Sequence, residues 1–366
     1  MVEASTGAGA VLRLIRTGAT TRSQLALTTG LSRSTLAERV HALLVLDLVT
    51  ETNGASTGGR PPATLEFNPT AGTVLATSVY PTFCRFAVCN LDAKPLFEHT
   101  VELDPDAPSD VTVRAGAREA LALAGVVPER VWATGVGVDE LPAHPGAPFA
   151  GDGPVLVDRH VNLLALAEQW THWREVDHLL YVFVGASIEC GIVSHGKVHR
   201  GARGAAGGLG HIRVRGYEDV LCTCGNMGCL QAAVGGRALA AQLTAAGLRA
   251  DSAADVAALA RSGSGPAVQA VRMAGRAIGE VLAECVNFYN PGAIVLGGEL
   301  AQAPQQLLAG VRETAIGRSL PMATRDLRMG AARLGARAGV IGAAVMVIEH
   351  VLAPENVDRA VSRHAR

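Results

Sequence analysis

His211, Cys222, Cys224 and Cys229 put one imidazole and three thiols into residues 211–229, and three of the four fall in the run CTCGNMGC. Three thiolates and an imidazole satisfy a tetrahedral, thiophilic cation such as zinc, and four protein ligands close its shell. A closed shell leaves no position for water, so the expected role is structural: pinning a loop that offers little core of its own. Gly225 and Gly228 let the chain bend so that sulfurs from both ends converge. The competing reading is unpaired buried cysteines beside a surface histidine. The other four cysteines, Cys84, Cys89, Cys190 and Cys285, read as small apolar packing residues.

The rest of the chain must build a conventional core. Hydrophobic residues make up 49% of 366 and charged residues 18%, enough for extensive burial, and the length predicts two or three domains. Aromatics are only 4% while glycines number 42, so close approach of helices and strands is expected. A net charge of −1 excludes a polybasic surface over the whole protein, and any nucleic-acid contact must come from a local patch. The opening MVEASTGAGA lacks a basic segment followed by an apolar one, and Glu284, Asn287, Asn290 and Pro291 interrupt the longest apolar stretch. The expectation is a soluble, cytoplasmic protein with reduced thiols.

Residues 8–17 carry apolar side chains at helical spacing up to Gly18. A second helix is predicted over 21–29, with Leu25 and Leu27 inward, ending at a left-handed Gly30. Ser32 then reads as the N-cap of a third helix, with Leu36, Val40, Leu43 and Leu44 on one face. This is the helix-turn-helix pattern, and strands near 48–52 and 63–67 would add a wing. Arg22, Ser32, Arg33, Ser34, Thr35 and Arg39 are the candidate DNA contacts, with Arg60 at the wing tip suited to a minor groove. Six Arg against four acids in residues 1–60 leave this module at +2, weakly basic, so a protein-interaction module of three helices stays open.

From residue 70 strand-like and helix-like segments alternate. A buried hairpin is predicted over 71–91, a helix over 111–125, strands at 131–141, 178–186 and 293–300, and helices at 160–170, 237–248, 251–262, 267–290 and 336–351. The pattern implies an α/β body of two lobes.

Three segments, GLGHIRVRGYEDVLCTCGNMGCL, GKVHRGARGAAG and FYNPGAIVLGGEL, together resemble the ROK family of repressors, open reading frames and sugar kinases. The likeness spans essentially the whole chain, because many ROK repressors carry an N-terminal winged helix ending in a GGRP wing, here Gly58–Pro61. It implies an α/β fold: a winged helix-turn-helix domain over 1–68, then over 69–366 a two-lobed actin-like ATPase fold with a structural zinc loop at 211–229.

Kinase members of that family need parts that this chain has changed. Their Asn-Asp pair, which supplies the catalytic base, aligns with Arg159 and His160, and only Asn162 of the motif survives. Their Asp-x-Gly-Gly-Thr phosphate loop aligns with SVYPT, residues 78–82, where Pro81 has no N–H to offer. Their second glycine loop aligns with GASIECG, residues 185–191, which places Glu189 where phosphate would lie. Of the sugar-binding set, Gly208 and Gln231 replace two glutamates and His211 matches.

The expected function is a sequence-specific DNA-binding regulator, acting as a repressor, with no catalytic residues. Its kinase-like body would serve dimerisation or tetramerisation and the sensing of a sugar-like or other small-molecule effector around Arg159, His160, Asn162, His211 and Gln231. The alternative is an active sugar kinase with atypical residues.

Overall fold

The structure, a computed structural model, describes residues 7–53, 63–104, 109–139 and 153–364. The chain divides into two compact units, Met1–Asp158 with Ala343–Arg366, and Arg159–Gly342.

The first unit opens with α1 (Ala8–Arg16), α2 (Arg22–Thr29) and α3 (Arg33–Val45), followed by the antiparallel pair β1 (Val49–Asn53) and β2 (Ala63–Phe67). Val11, Leu12, Leu25, Leu36, Val40, Leu43 and Leu65 are buried and supply its apolar centre. Leu25 lies inward as the periodicity predicts, but Leu27 is 88% exposed. Two residues turn an α-helix by about 200°, so positions 25 and 27 cannot share a face.

There follow β3 (Thr73–Val79), β4 (Phe83–Asn90), β5 (Pro95–Glu102), α4 (Ser109–Leu123), β6 (Val131–Val138) and β7 (Val155–Arg159). The sheet order is β5-β4-β3-β6-β7, with β3 antiparallel to β4 and parallel to β6. Leu75, Phe86, Val88, Val113, Leu121 and Val131 close the core between this sheet and α4.

The second unit contains α5 (His160–His172), β8 (His178–Val184), β9 (Ile188–Ser194), β10 (Lys197–Val198), α6 (Leu230–Val234), α7 (Gly236–Ala245), α8 (Ala253–Arg261) and α9 (Gly265–Tyr289). It continues with β11 (Ala293–Gly297), α10 (Pro304–Arg318), α11 (Pro321–Thr324) and β12 (Arg328–Ala331). Its sheet order, β10-β9-β8-β11-β12, repeats that of the first unit: three antiparallel strands, then two on the other flank. The sequence carries no visible repeat, because the two halves share topology and not side chains.

The abundance of small residues has a structural use. A Cβ on Gly275 of α9 would stand 2.4 Å from the Leu307 carbonyl of α10, so the two helices pack almost backbone to backbone. The chain ends with α12 (Ala338–Val351) and α13 (Pro354–His364). The predicted terminal helix corresponds to α12, while β5, β7, β9, β10, α6, α10, α11, β12 and α13 match no element predicted from the sequence. No single helix among the described residues is long and apolar enough to cross a membrane.

Candidate nucleic-acid interface and metal centre

Local capping positions the front of the molecule. Thr21 and Gln24 form a reciprocal box at the start of α2: the Gln24 N–H donates to Thr21 Oγ1 at 3.2 Å, and the Thr21 N–H to Gln24 Oε1 at 3.1 Å. Gly30, at φ +70°, ends α2 in the left-handed conformation. Ser32 then caps α3, its Oγ accepting the Thr35 N–H at 3.2 Å while also meeting Ser34 Oγ and Thr35 Oγ1 at 2.9 Å each. Arg33 and Ser34 stand exposed at the first two positions of α3, and Thr35 and Arg39 are half-buried. Arg22 is engaged elsewhere. Both guanidinium nitrogens donate to the Glu51 carboxylate on β1, one at 2.9 Å. That hydrogen-bonded pair holds Glu51 below its ordinary carboxylate value. Arg60 and the rest of Gly58–Pro61 lie outside the described residues.

In the second unit, the four predicted metal ligands converge. Their donor atoms all lie within 4.8 Å of one another. The loop is folded by its own backbone: Cys222 N–H donates to Asn226 O at 2.8 Å, Gly225 N–H to Cys222 O at 2.9 Å, and Gly228 N–H to Val220 O at 2.8 Å. Gly225 and Gly228 take φ of +87° and +76°, which any residue with a Cβ would resist. Single bridges Leu221↔Met227 and Arg213↔Cys229 clamp the two legs.

The donor spacing fits a tetrahedral ion. Zinc–ligand lengths imply edges of about 3.8 Å between sulfurs and about 3.6 Å between sulfur and imidazole nitrogen. The Cys224 and Cys229 sulfurs are 3.7 Å apart, and Cys222 Sγ is 3.7 Å from His211 Nδ1. Burial opposes ionisation of Cys222, but hydrogen bonds from the Cys224 backbone and from its neighbours in the cluster bring its thiol down. Burial, together with Cys222 and Cys224, pushes the Cys229 thiol up. Three adjacent thiolates repel, and a cation at their centre removes that penalty. Two amides complete the setting: Asn226 Nδ2 and Gln231 Nε2 each donate at 3.6 Å, to Cys224 and Cys222. The glutamate that Gln231 replaces could accept but not donate to a thiolate. Of the thiols assigned to packing, Cys84, Cys89 and Cys190 are buried and Cys285 is half-buried.

The candidate effector residues fall into two groups in the same unit. His211 and Gln231 meet at the metal loop. Arg159, His160 and Asn162 lie at the start of α5, with His160 and Asn162 buried, and Arg159 Nη2 donates to Ala206 O at 2.8 Å. Between these groups runs the loop to Gly208, where an added Cβ would meet nothing closer than the Ala205 carbonyl at 3.8 Å. Position 208 therefore has open space.

Both segments aligned with kinase phosphate loops carry side chains with contacts of their own. In the first unit Tyr80 stacks on Phe83 at 4.6 Å between centroids, and its N–H donates to Phe83 O at 2.9 Å. In the second, residues 185–187 turn tightly between β8 and β9, and Glu189 accepts from Ser187 Oγ at 3.2 Å. A further carboxylate, unforeseen from sequence, occupies this turn. Glu299 Oε2 lies 2.2 Å from where a Cβ on Gly185 would stand, and it is buried with no hydrogen-bond partner among the described residues. No local signal marks Glu299, which reaches the turn from the end of β11.

The family model described as "ROK family" matches residues 150–350. A putative xylose repressor from Caldicellulosiruptor sp. (strain Rt8B.4) is 26% identical, covering 91% of this chain and 92% of its own length. A glucokinase from Halalkalibacterium halodurans is 30% identical but covers 53% of this chain and 63% of its own. Among solved structures, a ROK family transcriptional regulator described as a homolog of the E. coli MLC protein superposes with TM-score 0.82 at 24% identity, covering 97% of this chain and 98% of that one. Matched by the family model over more than half its length, and aligned from winged helix to C-terminal region with repressors, the chain belongs to the ROK family and to its transcriptional-repressor branch.

Proposed function

We propose that this repressor binds a double-stranded operator through the winged helix and uses its kinase-like body without catalysis. Ser32, Arg33, Ser34, Thr35 and Arg39 enter the major groove from the start of α3, and Arg60 reaches the minor groove from the wing. Phosphates fix the register while short polar side chains and arginines read base edges. Arg22 acts mainly as a strut to Glu51. Two copies, as a dimer or a dimer of dimers, place two such helices about 34 Å apart on a pseudo-palindromic site. The observation that carries the reading is the capped α3 start, with Arg33 and Ser34 left exposed, in a chain that aligns throughout with repressors.

His211, Cys222, Cys224 and Cys229 hold one structural zinc. The ion ties the loop leading to α6 and supplies no Lewis acid to a substrate, since its four protein ligands close the shell. The phosphate-binding turns are closed: Tyr80 and Pro81 block one, and Glu189 and Glu299 put negative charge in the other. An effector occupies the region of Arg159, His160, Asn162, His211 and Gln231, and changes DNA affinity by binding one arrangement of the protein better than another.

The test is selection of bound fragments from a genomic library, with and without a panel of sugars including xylose, beside an ATP-coupled assay on the same panel. Enrichment of a discrete motif, lost with Arg33→Ala, supports the reading. Sugar phosphorylation that disappears with His160→Ala would replace it with the kinase reading.

A further inference from the structure

The start of β8 and the turn after β9 bring two imidazoles together, away from the thiolate loop and from the start of α5. His178 pairs with Ser194 across the antiparallel β8–β9 ladder, and Ser194 pairs in turn with Lys197 of β10. Only His195 and Gly196 lie between those two, at φ of +50° and +71°, a two-residue hairpin turn whose backbone suits Asn-Gly. The turn itself has no need of an imidazole. The His195 N–H donates to the Asp177 carbonyl at 2.6 Å, which fixes the turn against the residue before His178. The His178 and His195 rings meet edge-on, with centroids 4.6 Å apart and an interplanar angle of 71°.

Hydrogen bonding decides which nitrogen of His178 is available. Tyr289, at the end of α9, donates its one hydroxyl proton to the Val193 carbonyl at 3.2 Å. Its oxygen lies 3.4 Å from His178 Nδ1 and can only accept from it, and Ser194 Oγ lies 3.1 Å from the same nitrogen. The ring proton therefore sits on Nδ1 and the lone pair on Nε2. A metal-ligating histidine is held in this way, by its other nitrogen. His195 and Asp177 are the adjustable members. Their side chains are 71% and 74% exposed, and Asp177 Oδ1 lies 4.0 Å from His195 Nδ1.

Two imidazoles and a carboxylate are a donor set for a divalent late transition ion. With metal–nitrogen lengths of about 2.1 Å, each ring centre lies about 3.2 Å from a shared ion, so adjacent ligands put the centres about 4.5–5.2 Å apart. The observed 4.6 Å falls in that range. The 4.0 Å between Asp177 and His195 exceeds the edge of about 3.4 Å in a tetrahedral site, and rotation of the exposed Asp177 side chain closes the difference.

We propose that Asp177, His178 and His195 form a second metal site, for an exchangeable divalent ion of the nickel, copper or zinc class. Three protein ligands leave a position for water, unlike the four at 211–229. Binding pins the β9–β10 hairpin to the start of β8.

The test titrates nickel(II) by calorimetry into untagged full-length protein. The protein is first saturated with zinc, then washed with a weak chelator, and its metal content is counted before titration so that the cysteine cluster is scored separately. Wild type should bind one nickel per chain. His195→Asn, a residue that the turn accepts, and His178→Asn should each weaken binding about a hundredfold, and Asp177→Asn about tenfold. Nickel should slow hydrogen exchange over residues 190–199 in wild type and in neither histidine variant. No nickel bound by wild type overturns the proposal. So does equal affinity in wild type and the histidine variants, which would mean an adventitious ion only on other surface groups. Unchanged affinity in Asp177→Asn overturns the three-ligand set.

Discussion

The two units carry sheets of the same strand order, but the turns between their first two central strands are lined by different means. In the first, β3 to β4, residue identity does it: Tyr80 stacks on Phe83 and Pro81 removes an N–H. In the second, β8 to β9, Gly185 survives and a carboxylate delivered from Glu299, after β11, lies against it. The two sheets thus share a topology while the side chains at these turns come from different places, near in sequence in one unit and far in the other. The loop after β10 in the second unit also gathers a His/Cys group that could hold a metal ion, with no counterpart among the described residues of the first.

Substitutions can break that asymmetry, and the metal loop should respond most. Cys229→Ser removes a member of the proposed zinc site at 1% exposure, and loss of the proposed ion should destabilise the second unit by about 4 kcal/mol or more. Metal content and calorimetry read it, with the 211–230 loop gaining exchange while the winged helix does not. Equal loosening of both units would erase the distinction.

Glu299→Ala comes next. A carboxylate about 4 Å from a phosphate costs up to about 4 kcal/mol at surface-like screening, so its removal should let ADP or ATP stabilise the protein where wild type shows no shift. Tyr80→Gly alone should give none. A nucleotide-induced shift in wild type would mean that neither turn is closed.

Ser32→Ala removes the α3 cap and should cost about 1 kcal/mol, seen in denaturant midpoints and in weaker DNA binding, with the body unaffected. The smallest effect belongs to Arg22 and Glu51. With side chains 39% and 33% exposed, the pair is worth about 0.2–1 kcal/mol in a double-mutant cycle. Because Glu51 is held below its ordinary value, that contribution is full above the unfolded carboxylate value and fades as pH falls through the folded one. If Glu51→Gln instead tightened DNA binding, Arg22 would be a phosphate contact restrained by Glu51.

Much of this was legible because the signals are local. Thr21, Gly30 and Ser32 mark helix ends by short-range chemistry, and the cysteine spacing converges within one loop. What escaped depends on partners distant in sequence. Glu299 has no motif, and its meaning comes only from Gly185. Asp358 caps a helix 349 positions earlier. α10 meets α9 through Gly310, where a Cβ would stand 2.4 Å from the Arg272 carbonyl, and such small residues break up an apolar stripe. Leu27 was misplaced because apolarity was read without its angle around the helix.

The central claim is that the front end grips a duplex selectively while the body that follows it does not turn over nucleotide. Fluorescence anisotropy with a selected operator fragment, competed by scrambled DNA over a range of salt, tests it most directly. The expected result is preference for the selected fragment by at least about a thousandfold, with affinity falling steeply as salt rises. Equal affinity for both fragments at every salt concentration would contradict it.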